Sequence, residues 1–477
     1  MQESLGNKAT KGTIWSSVDR LSVIILQFVV NLILARLLMP DDFGAIGLIT
    51  IFIAVAQTLI DGGFGAALIQ KKNPTQEDYS TILWWNMAFS GFLYFILFVS
   101  APLIAKFYHI ESLTYIIRAI GIVLIINAIV SVQINRLRKK LYFNKIALIN
   151  ILSCIIGSGV AILAAYFQYG VWSLVFLQLV TALISLTMLW VVTGWHPSIV
   201  FSIASFKALF SFGGYLLAAN LLQTICQNLQ GLIIGRKFSA TQMGYYSQAQ
   251  KLDQLSSYAL PQIIVQVMFP VFSQIQDDQA KLQDVVLRSI RIISFIIFPI
   301  ITLLIIIAES LIETLYGAKW LPAVPYFQIL CLGGLFSCLQ NVNFYAIAAV
   351  GKSRELFYWS FYKWGFLLTA LIVGMNFGMY GILWGMVLSS INIYLTNSWL
   401  TSKHIKLKLI KSVFVLLPVL IIAVICGVCT EFIILNFNLH FIIISIFFFV
   451  LYLSISAMFG LKALNDVVIL LKRLLIK

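Results

Sequence analysis

Apolar runs of about 20 residues or more follow one another along almost the whole of this chain, parted only by short polar joints, and no water-soluble fold can bury so many. A bilayer core of about 30 Å takes roughly 20 apolar residues as helix, and backbone inside it must hydrogen-bond within its own segment. The chain is therefore read as an all-α integral membrane protein. Breakers between the runs delimit about fourteen transmembrane helices, near 14–38, 44–69, 81–105, 113–133, 146–166, 170–193, 213–235, 250–272, 290–310, 325–349, 356–376, 378–401, 410–430 and 440–460. With 61% of the residues hydrophobic, 10% charged and a mean hydropathy of +0.98, no room is left for a soluble domain. The polar start MQESLGNKATKGTIW and Arg20 inside the first run argue against a cleaved signal peptide.

The formal charge of +15 in a soluble protein would raise the question of nucleic acid. Here topology explains it first. Alternate joints are basic, and together with both chain ends they hold 25 of the 32 Lys and Arg residues. Lys and Arg accumulate on the cytoplasmic side of membrane proteins, so both termini are expected in the cytoplasm and no nucleic-acid partner is expected. Surrounding membrane lipids are partners by necessity.

A fixed-offset comparison lays ILARLLMPDDFGAIG, from Ile33, over IIGRKFSATQMGYYS, from Ile233, pairing Arg36 with Arg236 and Gly44 with Gly244. Both windows fall where one span ends outside and the next begins. The pattern gives two pseudo-symmetric six-helix bundles, an N-terminal lobe over 1–195 and a C-terminal lobe over 213–402, plus two C-terminal helices within 403–460. The halves share orientation, as in repeats related by an axis along the membrane normal. Residues 196–212 read as a cytoplasmic interfacial linker, and 461–477 as a cytoplasmic amphipathic tail with Leu464, Val468, Leu471 and Leu475 opposite Lys462, Asp466 and Arg473.

A Lys or Arg at the centre of a membrane helix costs about 2.5–3.5 kcal/mol and generally faces a bundle interior or water. In the first span Arg20, Gln27 and Asn31 share one stripe, and in the second Thr50, Gln57 and Asp61 repeat that spacing. The seventh span places Asn220, Gln223, Gln227 and Gln230 on one face, and the eighth has Lys251, Gln254, Tyr258, Gln262 and Gln266. Amides also serve as helix glue. Stripes on matched helices of both halves nonetheless predict a wet cleft lined by hydrogen-bonding groups suited to hydroxyl-rich ligands, with Arg20, Arg118, Lys251, Arg291 and Lys363 as its cations. Each of these could instead snorkel to a headgroup. Asp61 and Asp253 are candidates for a coupling proton or sodium ion, although DGGFG after Asp61 also suits a helix break.

Catalytic and metal chemistry finds little support. Cys426 and Cys429 have C-x-x-C spacing but lie in an apolar run with no His nearby, and His109, His196, His404 and His440 are scattered. AIAAVGKS mimics a phosphate loop, yet position 346 is Ala and the segment ends a membrane span. No cofactor or enzymatic activity is expected. Gly374 with Gly378 and Gly381 with Gly385 fit close helix packing.

LARLLMPDDFGAIGLITIF, LIDGGFGAALIQKK, GRKFSATQMGYYSQAQKL and SFKALFSFGG together resemble polysaccharide flippases of the multidrug/oligosaccharidyl-lipid/polysaccharide exporter superfamily, most of all the Wzx-type branch. The resemblance runs over nearly the whole chain. It implies outward flipping of undecaprenyl-pyrophosphate-linked O-antigen, capsule or exopolysaccharide units across the bacterial inner membrane by alternating access, with polysaccharide polymerase machinery as a further partner. It also places Arg20 where the related lipid II flippase has a cavity arginine. A cation-coupled multidrug antiporter of the same superfamily is the alternative, and it would want unpaired acids where this sequence offers cations. A glycan polymerase or ligase would want a large exterior loop, and a non-transporting scaffold would have no use for paired polar stripes.

Overall fold

The computed structural model describes residues 5–436 and 440–475, without side chains at 5–14, 17, 211, 212, 215, 216, 219, 260, 263–267, 270, 353 and 470–475. Gln266 and the tail's Leu471, Arg473 and Leu475 therefore lie outside the described residues. Every described element is helical: α1 Leu5–Leu37, α2 Pro40–Asp61, α3 Phe64–Gln70, α4 Gln76–Tyr108, α5 Leu113–Lys139, α6 Phe143–Tyr166, α7 Trp172–Thr193, α8 Ile203–Lys237 and α9 Ala240–Gln254. A π-helical turn at Leu255–Ala259 leads into α10 Leu260–Gln274, followed by α11 Gln279–Ile306, α12 Ala308–Tyr316, α13 Val324–Ala349, α14 Ser353–Gly374, α15 Gly378–Ile405, α16 Leu409–Asn436, α17 Phe441–Met458 and α18 Lys462–Leu475. Among the described residues, eleven segments are long and apolar enough to cross a membrane, and one of them, Arg354–Ile405, contains both α14 and α15. The described residues of α8 and of the α9–α10 run, the expected seventh and eighth spans, do not by themselves make up one of the eleven.

The chain forms two compact units, Met1–Gly244 and Tyr245–Lys477. The sequence boundary at 196–212 follows the repeat, whereas the unit boundary follows packing: α8 lies against α2, α3 and α4. Most of the expected linker is also continuous with the seventh span, because Ser202 caps α8 by accepting from the Ser205 amide and no breaker interrupts the helix afterwards.

In the first unit, α2 begins with Pro40 and the acidic pair Asp41 and Asp42, and the Met39 amide donates to Asp42 Oδ2 at 2.9 Å, which suits the positive end of a helix. It ends in DGGFG as that motif suggests. Gly62 (φ 52°) and Gly63 (φ 70°) adopt left-handed backbone between α2 and α3. Gly63 is required twice over, since a Cβ there would lie 2.3 Å from the Gly213 carbonyl oxygen of α8. Basic residues near this break have structural work. Lys71 pairs with buried Asp78 at 2.7 Å, and Lys139 Nζ donates to the carbonyls of Ile69 and Lys71 at the end of α3.

The two repeat windows meet reciprocally within the first unit. A Cβ on Gly44 would stand 1.8 Å from the Ala240 carbonyl oxygen, and one on Gly244 would stand 2.0 Å from that of Pro40. The Thr241 hydroxyl donates to Asp41 in the same contact. Residues 40, 41 and 44 thus touch 240, 241 and 244, the positions that the sequence offset pairs.

In the second unit the expected glycine pairs form across helices rather than along one. Gly374 of α14 abuts Gly381 of α15, and Gly385 approaches the Ala370 carbonyl. The amphipathic tail α18 docks on α11, where Asp466 accepts from Arg288 Nε at 3.0 Å and from Arg291 Nε at 2.9 Å.

Candidate functional site

α1 carries its polar stripe into the open. Arg20 and Gln27 are exposed and Asn31 is half-buried, while Val30, Leu34 and Ala35 are buried. The adjacent acid does not neutralise Arg20, because neighbouring residues on a helix point apart. Asp19 instead accepts from Asn150 Nδ2 of α6 at 3.1 and 3.2 Å. Arg20 makes no hydrogen bond or ion pair among the described residues. α8 does likewise: Asn220, Gln223 and Gln227 are exposed and Gln230 is half-buried, while Thr224 meets Thr58 of α2, hydroxyl to hydroxyl, at 3.0 Å. One face of α8 packs and the amide face remains open.

The α2 stripe leads to a cavity of about 480 Å³ inside the first unit. Thr50 is turned back on its own helix, donating to the Ile46 carbonyl. Gln57 Nε2 donates to Asp61 Oδ1 at 3.2 Å, and Asn127 Nδ2 of α5 reaches Gln57 Oε1 at 3.5 Å. Besides Gln57 and Asp61, the polar wall is built by Asn127, Ser131, Asn135 and Arg138 of α5, Asn86 of α4 and Asn220 of α8. Only Gln57, Asp61 and Asn220 of these stood in the expected stripes. Positions 127, 131, 135 and 138 recur at helical spacing, a pattern as legible as that of α1, but Arg138 sits among the basic joint residues that topology explains. Asn86, alone on α4, gives no periodic signal.

Arg118 does not join this cavity. It donates to the Phe98 carbonyl at 3.3 Å and lies 4.2 Å over the Phe98 ring.

In the second unit several expected site residues are held by internal partners. Lys363 is only 7% exposed and donates to Asn397 Oδ1 of α15, and Asn397 Nδ2 in turn donates to the Gln340 carbonyl of α13. A buried ammonium without its acceptor would cost about 1–3 kcal/mol or more, so Asn397 is part of the fold. Arg291 is held by Asp466. Gln262 accepts from Asn341 at 2.9 Å and donates to the Tyr345 hydroxyl at 3.4 Å, linking α10 to α13. Asp253 accepts from Ser257 at 2.5 Å and faces Gly334 of α13, whereas Lys251 is exposed on α9. Among the described residues no three His, Cys, Asp or Glu side chains gather as a metal site would require.

Residues 33–325 match the family model described as polysaccharide biosynthesis protein. The teichuronic acid biosynthesis protein TuaB of Bacillus subtilis is 28% identical over 412 residues, 85% of either chain. The succinoglycan biosynthesis transport protein ExoT of Rhizobium meliloti is 23% identical over 435 residues, 90% of this chain and 87% of its own. The lipopolysaccharide biosynthesis protein WzxC of Escherichia coli is 25% identical over 395 residues, 81% of this chain and 80% of its own. In fold the chain is similar to the lipid II flippase MurJ in an inward closed conformation, with a TM-score of 0.73 at 14% identity over 94% of this chain and 98% of that one. It is also similar to an inward-facing multidrug transporter of the MATE family, with a TM-score of 0.60 at 14% identity over 82% of this chain and 99% of that one.

Proposed function

The chain belongs to the polysaccharide biosynthesis protein family, and from that premise we propose that it is a flippase carrying undecaprenyl-pyrophosphate-linked oligosaccharide units from the cytoplasmic to the outer leaflet of a bacterial inner membrane. The observation that carries this reading is the open polar stripe on two membrane helices: Arg20 and Gln27 on α1, and Asn220, Gln223 and Gln227 on α8. Such side chains are too costly to leave against hydrocarbon, so they face water or a polar substrate. A guanidinium without a partner among the described residues, set among amides, suits a phosphate that carries sugars, because the cation offsets loss of phosphate hydration and the amides satisfy hydroxyls. The relatives named for transport or biosynthesis of surface glycans support the same substrate class.

Arg20, Gln27, Asn31, Gln223 and Gln227 are the substrate contacts of this proposal, which works by alternating access and needs no catalytic step. Both termini lie in the cytoplasm on this reading. An inside-negative potential favours outward movement of a pyrophosphate with two negative charges by roughly 4–5 kcal/mol per 100 mV, so ATP is not needed. A proton or sodium ion bound at Asp61 or Asp253 would add to that drive, and polymerase machinery would take up the product.

Complementation tests the assignment. In a strain whose own polysaccharide flippase is deleted, the gene is expected to restore surface polysaccharide, and to do so without raising resistance to cationic drugs. Drug resistance with no restored polysaccharide would favour the antiporter reading instead.

A further inference from the structure

We propose that the cavity inside the first unit is a saccharide-binding site that takes a sugar of the lipid-linked glycan, with Arg138 directed to an anionic group on the same ligand; this rests on the flippase reading. At about 480 Å³ the cavity falls in the range of small-molecule sites, about 300–1,000 Å³, whereas a water or a bare cation needs only about 30 Å³ or less. Its polar wall is amide-rich. Gln57, Asn86, Asn127 and Asn135 offer both donors and acceptors, and Asp61 adds a carboxylate acceptor. A hydroxyl both donates and accepts, so mixed amide and carboxylate walls match vicinal hydroxyls better than they match an ion.

Asn86 supplies the second, independent observation. It is 2% exposed, contributes to the cavity wall, and its Oδ1 accepts no hydrogen bond among the described residues. Buried acceptors are paired as a rule, and one left unpaired beside a roomy polar cavity points to a donor that arrives with a ligand. Of these wall residues Arg138 is exposed and Asn86 is buried. Gly65 keeps the space open on the α3 side, since a Cβ there would come within 2.5 Å of the Asn135 amide nitrogen. Asp61, Gly63 and Gly65, on and beside the helix break, all line the cavity.

The test uses the purified full-length protein, native mass spectrometry and lipid-linked oligosaccharides extracted from cells that make the polysaccharide. Undecaprenyl pyrophosphate without a sugar serves as the comparator, and the extract is left untreated. Wild type is expected to bind the untreated lipid at least about tenfold more tightly than the sugar-free one, a difference of about 1.4 kcal/mol. Asn86→Leu and Asn127→Leu should each bring the two affinities within about twofold while leaving that for the sugar-free lipid unchanged. Asn86→Leu should also raise the Tm of the ligand-free protein, because it removes a buried acceptor without a partner; a mere packing role would lower it. Variants that retain the full preference would overturn the saccharide site and leave the flippase reading standing, as would a wild type that binds both lipids equally. A wild type that binds neither lipid would remove the flippase reading, and this inference with it.

Discussion

Arg20→Ala is expected to reduce surface polysaccharide export by roughly ten- to hundredfold while the protein reaches the membrane at wild-type levels. The size follows from a hydrogen bond to a charged group, about 1.5–3 kcal/mol, lost at the step where the phosphate enters an apolar surrounding. The intact membrane level follows from the local structure: Arg20 is exposed, Asp19 is satisfied by Asn150, and no contact among the described residues depends on the guanidinium. Arg20→Lys keeps the charge but not the planar fork, so it should recover part of the loss. Export assayed in the complemented deletion strain, with membrane protein quantified alongside, checks all three statements. Full export by Arg20→Ala would remove α1 from the substrate path.

The second large effect concerns the contact between the repeat windows. Gly44→Ala and Gly244→Ala each place a methyl group within about 2 Å of a backbone carbonyl oxygen, at 1.8 and 2.0 Å respectively, and backbone cannot turn aside as a side chain can. The first turns of α2 and α9 must separate, at a cost expected to exceed the usual 1–3 kcal/mol of overpacking. Both variants should melt several degrees below wild type and lose export. Gly47→Ala is the contrasting case. Its methyl group would meet only the Met243 side chain, the terminal methyl at 2.9 Å and Cγ at 3.2 Å, and a flexible thioether can shift where backbone cannot, so the loss of stability and export should be much smaller than for Gly44→Ala. Thermal unfolding of the detergent-purified variants measures this directly. Equal melting of Gly44→Ala and Gly47→Ala would show that the crossing is looser than described.

The same contact shows how far the sequence could be read. An offset of 200 positions pairs Gly44 with Gly244, and the structure brings those windows into mutual contact, because a glycine that recurs in a repeat marks a place where backbones approach. The helix break after Asp61 was legible for a similar reason: consecutive glycines after an apolar run invite left-handed backbone. Charge was harder to read. Lys363 and Arg291 look alike in sequence, as cations near spans, yet one donates to Asn397 on the neighbouring helix and the other pairs with Asp466, 175 residues away. Periodicity gives the face of a helix and is silent on which remote element covers that face. Arg138 presents the reverse case. Positioned among basic joint residues, it counted toward topology, while its neighbours Asn127, Ser131 and Asn135 on α5 make it a wall of the cavity.

Reconstitution is the most direct test of the central claim. Full-length protein in liposomes, supplied with extracted lipid-linked oligosaccharide in one leaflet, should carry that lipid to the other leaflet faster than protein-free liposomes do, and an imposed membrane potential of the sign that favours anion movement should raise the rate. Transfer no faster than in protein-free liposomes, with the protein folded and inserted, would contradict the account.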